Sequence, residues 1–128
     1  METITEDYVL FEIAKLLKEK GFDKKLQYYY DTDGILVRCR RGEYFSNKSN
    51  VFIAPTLQMT EKWLRRVHNI HIVIKIIKTY GNTKYYYELY GTKNRSLCVV
   101  CDIYKGESWD SNERACNEAI KYCLENLV

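Results

Sequence analysis

With 128 residues, 46% of them hydrophobic and 29% charged, the chain has the size and apolar content of one packed domain, and no polar tract long enough for disorder. A net charge of +3 is too small to mark a dedicated nucleic-acid module by itself. No apolar run approaches the roughly 20 residues that span a bilayer. The start of the chain is acidic rather than basic, and Glu12, Lys15, Lys18 and Glu19 break its apolar pattern, unlike a secretory leader. The expectation is a cytoplasmic protein with no membrane partner.

Val9, Ile13, Leu16 and Leu17 recur at helical spacing, with Leu10 widening the stripe, and predict a first helix. Thr3 with Glu6 suits a capping box, with Thr5 an alternative cap. Gly21 and Phe22 suit a closing turn in which Phe22 folds back on Leu17. Leu26–Tyr30 and Ile35–Arg40 then flank Asp31-Thr-Asp-Gly34, a hairpin signal. Arg41–Asn50 reads as loop, and Val51–Ala54 as a short strand.

Pro55-Thr56 opens a second helix with Thr56 as its cap, and Asn69 follows its end. Its expected buried stripe is Met59, Trp63 and Val67, joined by Leu64, with Lys62, Arg65 and Arg66 outside. Three strands follow, built on Ile70–Ile77, Lys84–Tyr90 and Leu97–Tyr104, and the short turns between them predict a meander. A last helix starts at Asp110 or Ser111 and buries Cys116, Ala119, Ile120, Cys123, Leu124 and Leu127. The expected fold is a single α+β domain over residues 1–128, an antiparallel sheet packed with about three helices in the order α-ββ-(β)-α-βββ-α.

Little in this pattern points to reaction chemistry. Cys98 and Cys101 form a C-x-x-C on a predicted strand, where residues three apart point to opposite faces. His68 and His71 straddle a helix–strand junction with no third ligand in view. No nucleophile elbow, Walker loop or dinucleotide fingerprint is present. Neither a metal nor a cofactor is expected, and the chain is read as non-enzymatic.

Aromatic residues say more. Twelve tyrosines include Tyr28-Tyr29-Tyr30 and Tyr85-Tyr86-Tyr87 on predicted strands, where consecutive rings must show on both faces. One face packs on helices; the other exposes rings near Arg38, Arg40, Lys75 and Lys84. Aromatics interleaved with cations stack and neutralise single-stranded nucleic acid. Tyr and Arg are equally the residues of protein–protein hot spots, and tyrosine also simply covers a half-buried sheet well. The candidate binding residues are Arg38, Arg40, Arg41, Lys62, Arg65, Arg66, Tyr85 and Tyr87.

The blocks Ala14-Lys-Leu-Leu-Lys-Glu-Lys-Gly-Phe22, Ala54-Pro-Thr56, Lys62-Trp-Leu-Arg65, Val67-His-Asn-Ile-His71 and Ile120-Lys-Tyr-Cys-Leu-Glu-Asn-Leu127 resemble a group of small proteins without assigned activity from Bacteroides-type gut bacteria and their phages or prophages. Relatives in that group tend to open the last helix with an acidic Y-E-E-A-type segment; here it reads Asp110-Ser-Asn-Glu-Arg-Ala115. The resemblance implies a phage- or mobile-element-type accessory protein that works by binding a host or phage protein. The alternative is a nucleic-acid-binding domain for single-stranded DNA or RNA, or one similar to double-stranded-RNA-binding domains in its α-βββ-α order. The latter carry lysines at the start of the last helix, where this chain has Asn112-Glu113-Arg114. Oligomeric state is left open by the sequence.

Overall fold

The computed structural model describes residues 6–40, 42–44, 50–93, 96–101 and 108–128, the side chains of 92, 93 and 96–101 excepted. Nine elements follow in chain order: α1 (Phe11–Glu19), β1 (Tyr28–Tyr30), β2 (Leu36–Arg38), β3 (Phe52–Ile53), α2 (Leu57–His68), β4 (Ile70–Thr79), β5 (Asn82–Lys93), β6 (Ser96–Cys101) and α3 (Asn112–Asn126). The class is α+β, in the element order expected. Among the described residues six strands are divided between two antiparallel sheets, β2-β1-β3 and β4-β5-β6. By packing the chain forms two compact units, Met1–Met59 and Thr60–Val128, with the division inside α2.

In the first unit, α1 starts later than its apolar spacing predicts. Residues 7–9 are extended, because Val9 N–H donates to the Pro55 carbonyl and Leu57 N–H to the Asp7 carbonyl. Val9 is thus buried from a strand-like segment rather than from a helix. Leu10 is the N-cap and makes no side-chain capping bond; Thr3 and Thr5 lie outside the described residues. The far end closes as expected. Gly21 has φ of +88°, Gly21 N–H donates to Lys18 and Phe22 N–H to Leu17, and the Phe22 ring is fully buried. Ile13, Ala14, Leu17, Phe22, Ile53 and Ala54 are the dry interior of this unit.

The β1–β2 hairpin turns on Asp31, whose carboxylate accepts from the backbone N–H of Asp33 and Ile35. Gly34 then takes φ of +80°, and a side chain there would stand 3.2 Å from the Phe11 ring.

The helix α2, inside which the division falls, is capped by Thr56, whose hydroxyl accepts from Met59 N–H at 3.1 Å, and Asn69 ends it with φ of +56°. Its buried side is rotated by roughly a quarter turn from the expected stripe. Thr60 and Leu64 are fully buried, while Val67 is 61% exposed and Trp63 only half-buried. Polar residues account for the difference. Thr60 occupies a core position, and the half-buried Glu61 accepts a bond from the Cys116 thiol at 2.8 Å. A count of apolar residues skips both positions. The meander forms as expected, β4 and β5 meeting from Thr79↔Asn82 to Ile70↔Gly91 and β5 pairing β6 from Lys93↔Ser96 to Glu88↔Cys101. Ser111 caps α3 by accepting from Arg114 N–H. Along α3, Ala115, Cys116, Ala119, Ile120, Cys123 and Leu124 are buried, but the expected Leu127 is 43% exposed past the helix end.

Two substitutions on α2 separate the observed face from the expected one. Leu64→Ala should cost about 2–5 kcal/mol, whereas Val67→Ser should stay within about 0.5 kcal/mol of the native chain, both read from urea denaturation.

Candidate functional site

The β4–β5 register sorts the second sheet into two rows. Ile70, Ile72, Ile74 and Ile76 share one face with Gly91, Leu89, Tyr87 and Tyr85; His71, Val73, Lys75 and Ile77 share the other with Tyr90, Glu88, Tyr86 and Lys84. The first face is the inner one. Leu89 and Tyr87 are 1% and 3% exposed, and the Tyr87 ring lies 5.5 Å from Trp109 at 17° and 6.4 Å from Tyr122 of α3. Tyr85 and Trp109 exchange both backbone hydrogen bonds at 2.8 Å, which holds the aromatic segment against the strand.

The second face is open. Val73 is 38% exposed and His71 and Lys75 are exposed, with Ile77, Tyr86 and Tyr90 half-buried among them. Lys75 pairs with Glu88 at 3.3 Å, and the Tyr90 hydroxyl donates to the same carboxylate. These contacts, that of Tyr90 first, hold the Glu88 carboxyl below its ordinary range, while Glu88 raises Lys75. Lys84 is bound to Asp110. The result is an apolar and aromatic surface on which three of the charged groups are already fixed in place. Apolar and aromatic side chains thus surround a central ion pair.

The residues singled out from the sequence fall in several places. Tyr87 is a correction: it belongs to the buried row, since Leu89 two positions on anchors that row in the core. Tyr85 shares its face and is half-buried. The open-face tyrosines are Tyr86 and Tyr90, one position out of phase. The signal that finds them is Lys75 and His71 on β4, whose polarity marks the wet row and whose partners across the ladder are Tyr86 and Tyr90. Lys62, Arg65 and Arg66 are exposed on α2 as expected. Arg38 and Arg40 are exposed in the first unit; Arg41 lies outside the described residues.

The first unit carries a smaller feature. An open cleft of about 310 Å³ is lined by Tyr8, Lys25, Gln27, Tyr28, Tyr44 and Met59 among others. Tyr8 and Tyr28 stand 4.4 Å apart, and the Arg38 guanidinium lies 6.0 Å from the Tyr28 ring. Burial, with Tyr28 adding, raises the Tyr8 hydroxyl above its ordinary range. Tyr30 is spent on structure, donating to the Val9 carbonyl at 2.6 Å.

The thiols of α3 belong to the interior. Burial first, then the Glu61 carboxylate, pushes Cys116 far above the ordinary thiol range, and burial pushes Cys123 up to about 12. Among the described residues no three His, Cys, Asp or Glu side chains are grouped to hold a metal ion, and no helix is long and apolar enough to cross a membrane. Comparison with protein-family models, with curated proteins and with solved structures finds no match to this chain.

The raised thiols give a pH dependence. An unfolded cysteine ionises near 9 and Cys123 only near 12, so the native state binds more protons between those values and stability falls as pH rises through that window. Urea midpoints measured from pH 8 to pH 11 should decline, and Cys123→Ala should flatten part of the decline.

Proposed function

We propose that this chain is a small accessory protein of phage or mobile-element type that acts without catalysis, by binding a protein of the host or phage through the open face of its second sheet. The observation that supports this most is the row Val73, Lys75, Ile77, Tyr86 and Tyr90, an apolar and aromatic surface left uncovered on a sheet whose other face packs around Ile70, Tyr87 and Leu89. Lone exposed apolar residues need no explanation, but a contiguous set on a rigid sheet does. Tyr86 and Tyr90 supply large contact area for little conformational entropy. The Lys75–Glu88–Tyr90 contacts hold the polar groups of the patch in place before any partner arrives, which lowers the cost of association. The resemblance to phage- and prophage-borne proteins supplies the setting.

A second reading rests on the first unit. Tyr8, Tyr28 and Tyr44 with Lys25 and Arg38 have the aromatic-plus-cation chemistry that stacks bases of single-stranded nucleic acid. The double-stranded-RNA analogy draws less support, because Asp110 and Glu113 stand at the start of α3, where phosphates would be repelled.

The test is affinity capture from a lysate of a Bacteroides-type host and from phage-infected cells. Tyr86→Ala with Tyr90→Ala should remove the captured protein, and Arg65→Ala with Arg66→Ala should not. Retention by the tyrosine variant overturns the reading. Binding of an oligonucleotide that weakens steeply between about 50 and 200 mM salt, lost on Arg38→Ala, would move the assignment to nucleic acid.

A further inference from the structure

β4 is ten residues long and lies at the end of its sheet, with no strand beside it among the described residues. Which of its backbone groups are unpaired follows from the ladder. Tyr85 gives both its N–H and its C=O to Trp109, so the Ile76↔Tyr85 pair is a non-hydrogen-bonded one and the peptide groups of Ile76 turn away from β5. Alternation then turns those of Ile74 and Ile72 outward, while Val73, Lys75 and Ile77 bond to β5. The two-residue Tyr80-Gly81 connection agrees, since it makes Thr79↔Asn82 the hydrogen-bonded closing pair. Proteins ordinarily blunt such an edge with a proline, a bulge or brevity. Of the usual guards β4 carries only Lys75 and Lys78. Its side chains on the edge are apolar and open: Ile76 is 63% and Val73 38% exposed.

We propose that the β4 edge accepts an extended segment of a partner protein as an added antiparallel strand, with an acidic residue opposite Lys78, another opposite Lys75, and apolar residues opposite Val73, Ile74, Ile76 and Ile77. This rests on the reading of the second unit as a protein-binding module and names the class of its partner. Main-chain bonds from Ile72, Ile74 and Ile76 provide the attachment, and the alternating side chains provide the selection. Charge decides against a second copy of this chain. Partners across an antiparallel ladder share a face, so the two-fold pairings that overlap nine residues centre on Ile74 or on Lys75. Centring on Lys75 sets two Lys75 ammoniums directly opposite, roughly 5 Å apart at Cβ, and centring on Ile74 sets them diagonally, at roughly 7–8 Å. β4 holds no carboxylate to offset either arrangement. Lys75 shares Glu88, but Lys78 has no ion-pair partner among the described residues and is exposed. An incoming carboxylate satisfies it; an incoming lysine repels it.

The experiment titrates the native chain with the peptide acetyl-Glu-Val-Val-Glu-Val-Val-amide, and with the same peptide carrying lysine for glutamate, while amide exchange is followed residue by residue. The acidic peptide should bind roughly tenfold more tightly than the basic one, since two cross-strand charge pairs change sign. It should slow exchange at Ile74, Ile76 and Lys78 and change Val73, Lys75 and Ile77 little. Lys78→Glu, at an exposed side chain, should reduce or invert the preference with far-ultraviolet circular dichroism unchanged. Equal binding of the two peptides, or protection without the two-residue alternation, overturns the proposal. So does a dimer in light scattering whose Ile72, Ile74 and Ile76 amides are protected before peptide is added. If the captured protein depends on Tyr86 and Tyr90 but neither on Lys78 nor on these amides, the edge proposal fails while the open-face reading stands. If it depends on none of them, both fail.

Discussion

The ladder between β4 and β5 is the constraint on which the second unit depends. A strand has a side-chain period of two, so a slip of β5 by one residue would carry Leu89 and Tyr87 into water and bring Glu88, Tyr86 and Lys84 into the interior. Burial of Leu89, Tyr87 and Ile70 against that outcome sets the register. Both features of functional interest then follow without further assumption. The odd-numbered positions of β4 face outward with Tyr86 and Tyr90, and the even-numbered ones present unpaired peptide groups along the edge.

Polar contacts refine what burial arranges. The Cys116 thiol donates to Glu61 across α3 and α2, joining the two helices of the unit at a position apolar pairing leaves unfilled. A carboxylate beside a buried thiol keeps that thiol protonated, so the contact is a neutral donor on a charged acceptor, a stronger kind of hydrogen bond than one between two neutral groups. On the open face, Glu88 accepts from both Lys75 and Tyr90. The exposed Lys75–Glu88 pair contributes little to stability by itself. Its effect is to order three side chains in the middle of an apolar surface.

The first unit shows the same economy on a smaller sheet. Phe11 meets Tyr30 and Phe52 edge-on at 5.4 and 5.6 Å, and Tyr30 ties β1 to Val9. Two of the three consecutive tyrosines, Tyr28 and Tyr30, share the face that meets Tyr8 and Phe11. Tyrosine serves here mainly as packing with a polar tip, and cations lie over rings at Lys15 on Phe11, Lys18 on Phe52 and Arg38 on Tyr28.

The amino-acid pattern alone determined the α+β class, the order of the elements among the described residues, the Gly21–Phe22 helix closure, the Thr56 cap and the tight meander. These depend on local chemistry: glycine's left-handed conformation, a hydroxyl three residues from a free N–H, and the shortness of the turns. The extended course of residues 7–9, the rotated face of α2, the division into two sheets and the burial of Tyr87 were decided by tertiary structure. Each depends on a partner distant in sequence: the Pro55 carbonyl for Val9, Cys116 for Glu61, Trp109 and Tyr122 for Tyr87. A run of three tyrosines shows that both faces carry rings. Only the strand alongside, and the helix behind it, decide which ring is wet.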